Sequence, residues 1–160
     1  MTRWPEPVER VSAVLRAAAV DARIEQFGEE TPTARAAARV IGCELDQIVK
    51  SIVLVCDGAY VLALVPGDRR ADDDAVRAAV GADIVRVARS DEVIHATGFE
   101  PGGVAPFPQR AITQTLMDRS FLNHDEIWIG AGTSVHMASL RPQELLRLTN
   151  AKTVELGGRG

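Results

Sequence analysis

The sequence predicts an α+β fold, one domain over residues 1–160 in which helices surround a central mixed or largely antiparallel sheet. Two observations point to it. Apolar strand-like runs adjoin across short turns, most plainly at Asp57-Gly58, and helical periodicities fall between strands in no regular alternation. A length of 160 residues suits one hydrophobic core and is too short for two ordinary ones. With 46% hydrophobic and 25% charged residues, the composition is that of a globule rather than of a disordered chain.

Val8, Val11, Val14, Leu15 and Ala18 recur at three- and four-residue spacing behind Pro5 and Pro7, which predicts a first helix running to about Asp21. A short strand over 23–27 follows. Thr31 before Pro32 has the arrangement of a capping hydroxyl with proline at the first helical position, so a second helix is expected over 34–41, ended by Gly42. The run 51–56 is continuously apolar, as in a strand covered on both faces, and Asp57-Gly58 turns it into a partner over 59–65. These two strands should form the centre of the sheet.

Pro66-Gly67-Asp68 closes that hairpin, Asp72 to Asp74 place negative charge at the start of a third helix, and Gly81 ends it. A strand is expected over 84–87, and Ser90 is expected to cap a brief helix through His95. Between Gly98 and Pro108 six glycines and prolines crowd into one irregular loop. Beyond it the pattern reads as strands over 112–116, 126–129 and 135–138, a last helix over 142–148, an edge strand over 152–156 and a frayed glycine-rich end.

A net charge of −4 argues against a protein that coats nucleic acid nonspecifically, since such binding needs many cations to neutralise phosphates. Arg69, Arg70, Arg77, Arg86, Arg89 and Arg110 remain candidates for a local basic patch. No apolar run approaches the ~20 residues that cross a bilayer, and no basic-then-apolar leader opens the chain, so no membrane contact and a cytoplasmic location are expected. Cys43 and Cys56 form no metal or redox spacing and read as small hydrophobes. His95, His124 and His136 are not spaced as a metal cluster and read as surface or locally satisfied histidines. No metal and no cofactor is expected. Neither a Gly-x-Ser-x-Gly elbow nor a phosphate-binding Gly-x-x-x-x-Gly-Lys run is present, which removes the commonest serine hydrolases and nucleoside-triphosphate enzymes.

Of the 18 Lys and Arg residues, only Lys50 and Lys152 are lysines. Where arginine carries almost every positive charge, a retained lysine marks a place that suits a compact ammonium. Lys50 opens the most apolar strand and must either snorkel out or point into a cleft, whereas Lys152 has an easy solvated reading. The loop at 98–108 is the second unusual feature: glycines allow close backbone approach to a ligand, and their N–H groups can face carbonyl or phosphate oxygens. An ordinary surface loop is the alternative.

Three blocks in this order, Thr31-Pro-Thr-Ala-Arg-Ala-Ala-Ala, Asp46-Gln-Ile-Val-Lys-Ser-Ile-Val-Leu and Ala96-Thr-Gly-Phe-Glu-Pro-Gly-Gly-Val-Ala-Pro-Phe, resemble the successive motifs of the YbaK/prolyl-tRNA-synthetase-associated family. The likeness runs from about Phe27 to Leu148. It implies a free-standing, trans-acting aminoacyl-tRNA deacylase that hydrolyses the ester of a mischarged small amino acid, with alanine or cysteine on a proline tRNA as the leading substrates. It implies Lys50 as the catalytic lysine, and Thr31, Ser51, Gly98, Gly102, Gly103, Pro106, Asp118 and Gly132 as substrate-binding positions. The implied partners are the acceptor end of an aminoacyl-tRNA and a prolyl-tRNA synthetase supplying tRNA affinity that the acidic chain lacks. Ala105 stands where many relatives carry serine, and Pro108 where glycine is common.

An aminoacyl ester is already activated and lies beside a free ribose hydroxyl, so orientation can supply much of the catalysis. The expected scheme has Lys50 anchoring the terminal phosphate or ribose, backbone N–H groups near Gly102 and Gly103 polarising the carbonyl, and water or a substrate group attacking. A non-catalytic module that kept the pocket to hold a tRNA end, a nucleotide or a protein is the rival, with Ala105 in its favour. A Schiff-base lysine enzyme is a third reading, for which no cofactor phosphate motif is present.

Overall fold

The computed structural model describes residues 4–28 and 33–159. The chain runs α1 (Glu6–Ala17), β1 (Arg23–Gln26), α2 (Ala34–Ile41), a 3₁₀ turn (Leu45–Gln47), β2 (Val49–Cys56), β3 (Ala59–Pro66), β4 (Arg69–Ala71), α3 (Asp73–Val80), β5 (Val85–Val87) and α4 (Ser90–Thr97). After the long loop come β6 (Ile112–Asp118), a second 3₁₀ turn (Arg119–Asn123), β7 (Ile127–Gly130), β8 (His136–Leu140), α5 (Pro142–Thr149), β9 (Lys152–Val154) and β10 (Gly157–Arg159).

The principal sheet has the order β5-β2-β3-β6-β9. Its β5/β2 and β2/β3 pairs are antiparallel, and its β3/β6 and β6/β9 pairs are parallel, so it is mixed. A second, antiparallel sheet, β1-β8-β7, joins the start of β2 through a bridge between Ile48 and Trp128. The fold is therefore α+β, as expected.

Burial on both faces explains the unbroken apolar runs of β2 and β3. Val53, Leu62 and Leu64 pack with Val11 of α1, Phe99 and Phe107 of the loop, and Ile129 of β7 in the main core. Leu54, Val61, Ala63 and Val65 point the other way, against Val76 of α3, Leu116 and Leu156. A third cluster sets Ala37 and Ala38 of α2 on Ile48, Trp128 and Met137. Small alanines let that helix lie close to the two strands.

Three local expectations are corrected. Thr31 lies outside the described residues, and the N-cap of α2 is Thr33, whose Oγ1 accepts the Ala36 N–H at 3.0 Å. Such a cap stabilises a helix by about 1 kcal/mol. Ser90 does not cap α4: the preceding Arg89 occupies that place, with Glu92 accepting its N–H at 2.9 Å, and the helix continues to Thr97. The glycine-rich end is not frayed, because β10 pairs antiparallel with β4, placing Gly157 opposite Ala71 and Arg159 opposite Arg69. Glycine composition hides a strand whose partner lies far away in sequence. No helix among the described residues is long and apolar enough to cross a membrane.

Candidate active site

A cavity of about 500 Å³ opens where β2 begins, walled by the start of α2, the Gly67 turn, the loop after α4 and the β7–β8 turn. Lys50, Ser51, Gly102, Val104, Thr133 and His136 are among its lining residues. Strand alternation sends Lys50 to the same face as Ile52 and Leu54, and Ser51 to the face of Val53. Both still line the cavity, since β2 starts at its rim. The Lys50 ammonium donates to the main-chain carbonyl of Arg69 on β4. Burial pulls its pKa below the ordinary lysine value; nearby Asp68 opposes that shift and Arg70 reinforces it.

Among the described residues three buried side-chain polar atoms lack a hydrogen-bond partner: Ser51 Oγ, His136 Nε2 and Gln109 Oε1. Two of these three residues, Ser51 and His136, line this one cavity. Orphaned buried polar atoms are costly, commonly about 1–3 kcal/mol each, and their coincidence marks a site built for a polar ligand.

His136 had no distinguishing sequence context, and the expectation of a surface or locally satisfied histidine is corrected: it is 3% exposed. Its Nδ1 lies 2.5 Å from Thr133 Oγ1, and Trp4 packs edge-on against the ring at 5.5 Å between centroids. The Thr133 oxygen also accepts the Val135 N–H at 3.2 Å, and Nε2 is left as the unpartnered ring atom. Burial lowers the His136 pKa and keeps the ring neutral. The other two histidines are peripheral: His95 packs on Tyr60, and His124 Nε2 lies 3.5 Å from Asp46.

The loop reaches the cavity by lying directly on the β7–β8 turn. A Cβ at Gly103 would stand 2.8 Å from Thr133 Cα and 2.9 Å from the Gly132 carbonyl oxygen, and one at Gly130 would stand 2.5 Å from the Val104 oxygen. Only glycine permits such an approach. The Gly103 N–H donates to the Glu100 carbonyl at 3.0 Å, which removes it as an expected substrate donor. The N–H groups of Gly102 and Val104, neighbouring it on the cavity wall, have no acceptor among the described residues.

Of the other expected positions, Thr31 lies outside the described residues and four stand away from this cavity. Gly98 ends α4, with Arg10 donating to its carbonyl at 2.8 Å. Gly132 packs under α1, where a Cβ would meet the Pro7 carbonyl group at 2.8 Å. Pro106 lines a separate cavity behind the loop, shared with Gln109 and Thr115. Asp118 is 1% exposed and accepts four hydrogen bonds, from the N–H and hydroxyl of Ser120 and from the N–H groups of Leu156 and Gly157. Ala105 is fully buried in the main core, so the side chain at that position faces packing rather than the cavity.

Arg35 on the cavity wall, and Arg69 and Arg70 beside Lys50, have no carboxylate partner among the described residues, whereas Arg10, Arg77, Arg86 and Arg147 are each paired with a carboxylate. Among the described residues no group of three or more His, Cys, Asp or Glu could hold a metal ion.

The model of the aminoacyl-tRNA editing domain matches residues 28–148. Proline–tRNA ligases of Staphylococcus aureus are 33% identical over 86 residues, which is 52% of this chain but only 15% of theirs. Among solved structures, a candidate trans-editing enzyme for prolyl tRNA synthetase superposes with a TM-score of 0.88 and 31% identity, covering 98% of this chain and 99% of that one. A protein from work on epitope backbone grafting by computational design superposes with a TM-score of 0.88 and 29% identity, over 97% of this chain and 99% of its own. With the match spanning the second helix, the Lys50 strand, the glycine loop and the β7–β8 turn, the chain belongs to the aminoacyl-tRNA editing domain family.

Proposed function

We propose that the cavity at Lys50 hydrolyses the ester joining a mischarged small amino acid to the terminal adenosine of a tRNA, with alanyl or cysteinyl esters of a proline tRNA as the preferred substrates. The observation that carries this reading is the pair of orphaned groups, Ser51 Oγ and His136 Nε2, in the cavity that Lys50 also lines. The volume falls within the ~300–1,000 Å³ of small-molecule sites and suits a small acyl group with its terminal nucleotide.

In this scheme the water oxygen adds to the acyl carbon, the bond to the ribose oxygen breaks, one of the water's protons passes to that oxygen, and the other leaves with the carboxylic acid product. An ammonium has three donors, and the Arg69 carbonyl uses one of the three on Lys50. The remaining donors are available to a ribose or phosphate oxygen at the rim. The start of α2, where Ala34 and Arg35 line the cavity, adds helical N–H groups that have no acceptor among the described residues and are suited to a phosphate. The Gly102 and Val104 N–H groups stabilise negative charge developing on the carbonyl oxygen, and each such donor is worth about 10²–10³ in rate. His136 offers its unpartnered Nε2 and Ser51 its hydroxyl to orient the amino acid or the water.

Arg35, Arg69 and Arg70 give the rim a local attraction for the acceptor stem despite the acidic whole. A prolyl-tRNA synthetase presenting the tRNA would add the rest. The rival reading of a non-catalytic binding module leaned on the missing hydroxyl at Ala105, and that side chain lies in the core, so its absence takes nothing from the cavity.

The test is a panel of tRNAs mischarged with alanine, cysteine or serine, incubated with the protein alone and with a prolyl-tRNA synthetase. Release of at least one amino acid well above the uncatalysed rate is expected. Uncatalysed rates throughout would overturn the reading.

A further inference from the structure

Asp118 stands away from the cavity, yet its hydrogen bonds lead to it. Its Oδ2 accepts the N–H of Leu156 at 2.9 Å and of Gly157 at 2.8 Å. Leu156 is fully buried, and its own carbonyl accepts the Asp72 N–H at 2.8 Å, tying the segment to the start of α3. From there β10 pairs with β4, and β4 carries the Arg69 carbonyl that receives the Lys50 ammonium. Contact between the two strands is tight, since a Cβ at Gly157 would stand 2.5 Å from Arg69 Cδ and 3.3 Å from Asp118 Oδ2. Both β9 and β10 lie beyond residues 28–148, so this support comes from outside the segment that the family model matches.

We propose that Asp118 is a positioning residue for Lys50: its carboxylate anchors Leu156 and Gly157, the strand that starts at Gly157 holds β4 in register, and β4 presents the Arg69 carbonyl that orients the ammonium. A three-residue strand such as β4 has little stability of its own and needs a partner. A carboxylate that accepts several N–H bonds is a strong anchor for one, because charge-assisted bonds are about twice as strong as neutral ones. Released from β10, β4 would let water reach Lys50. The charged groups around the ammonium are Asp68 in the preceding turn, Arg70 on β4 and Arg35 on α2, and they stay in the chain when the strap is loosened.

The effect on catalysis rests on the deacylase reading, whereas the effect on Lys50 does not, and this separates the two. Because the chain has only two lysines, lysine-selective 13C,15N labelling gives two side-chain signals, which Lys152→Arg assigns. Asp118→Asn and Gly157→Pro are each titrated without tRNA. Both are expected to move the Lys50 titration up towards the ordinary lysine value, while Ser120→Ala, which spares Leu156 and Gly157, leaves it unchanged. Deacylation by the two strap variants should fall about tenfold to a hundredfold, mainly in kcat, as for a catalytic group displaced by around 1 Å. Asp118→Asn alters a fully buried carboxylate and can unfold the chain; Gly157→Pro, which removes one strap N–H and sets a Cβ against Arg69 Cδ on β4, then carries the test of the strap alone. An unchanged Lys50 titration in folded Gly157→Pro, or an equal shift in Ser120→Ala, overturns the proposal even if the wild type deacylates. A wild type that releases no amino acid, with Lys50 shifting as expected, overturns the deacylase reading and leaves the strap standing.

Discussion

Thr133 and His136 share a 2.5 Å hydrogen bond between Oγ1 and Nδ1, in a turn whose backbone also supports the glycine loop. The bond fixes the imidazole and leaves Nε2 without a partner. His136→Ala is expected to widen the cavity, lower kcat/KM for a small acyl ester about tenfold, and relax discrimination against larger amino acids. Thr133→Val should act in the same direction more weakly, since it frees the ring without removing it. Deacylation rates for a size series of aminoacyl-tRNAs check both expectations, and they are consistent with the loss of one buried hydrogen-bonding group at ~1–3 kcal/mol.

The pH profile follows from the two shifted groups. Burial lowers the Lys50 pKa, and the proposed scheme uses its protonated form, so the rate should decline on the alkaline side at a pH below the ordinary lysine value. Burial also lowers the His136 pKa, and the scheme uses its neutral form, so the acid-side loss should begin below the ordinary histidine range. A rate profile of kcat/KM against pH, repeated with Lys50→Arg and His136→Gln, assigns each limb.

Gly103→Ala tests how the loop is seated. The added methyl would meet backbone on the facing turn at 2.8 and 2.9 Å, where no flexible side chain can yield. A destabilisation of roughly 1–3 kcal/mol is expected, with a larger proportional loss of deacylation, because displacement of the loop carries Gly102 and Val104 with it. Thermal melting beside single-turnover rates separates the two losses.

Glu92 clamps β5 to α4, accepting two bonds from the Arg86 guanidinium at 2.8 Å each as well as the Arg89 N–H. The Arg86 bonds, and then the Arg89 N–H, hold its carboxyl down at about 2. A depressed carboxylate stabilises the fold fully above its unfolded pKa and loses that contribution as the pH falls through the folded value. Wild-type stability should therefore fall between the ordinary carboxylate range and pH about 2, and Glu92→Gln should flatten that slope. Denaturant midpoints across this range provide the check.

Most of the fold was legible because local chemistry and burial agree. Asp57-Gly58 joins β2 to β3, and the continuous apolar runs on either side mark strands covered on both faces. Boundaries slipped where two hydroxyls compete: Thr33 rather than Thr31 caps α2, and both precede the alanine run. The C-terminal strand was hidden because its pairing with β4 and its anchor on Asp118 are long-range, while glycine composition signals only chain freedom. Within the site, the rarity of lysine singled out Lys50, and glycine spacing singled out Gly102. His136 escaped because a lone histidine in a strand carries no local signal; what sets it apart is its burial and its bond to Thr133. Pro106, Gly98, Gly132 and Asp118 lie outside the residues that line the cavity, a placement set by packing and not by any local motif.

The central claim is that the Lys50 ammonium orders the reacting ester, and substitution of that one residue tests it most directly. Deacylation of alanyl- and cysteinyl-tRNA by wild type, Lys50→Ala and Lys50→Arg is measured on proteins shown by circular dichroism and melting to be folded. Lys50→Ala is expected to retain the fold and lose hydrolysis, and Lys50→Arg to restore little of it, since a planar guanidinium does not reproduce a compact ammonium held on the Arg69 carbonyl. Hydrolysis by Lys50→Ala at the wild-type rate would contradict the account.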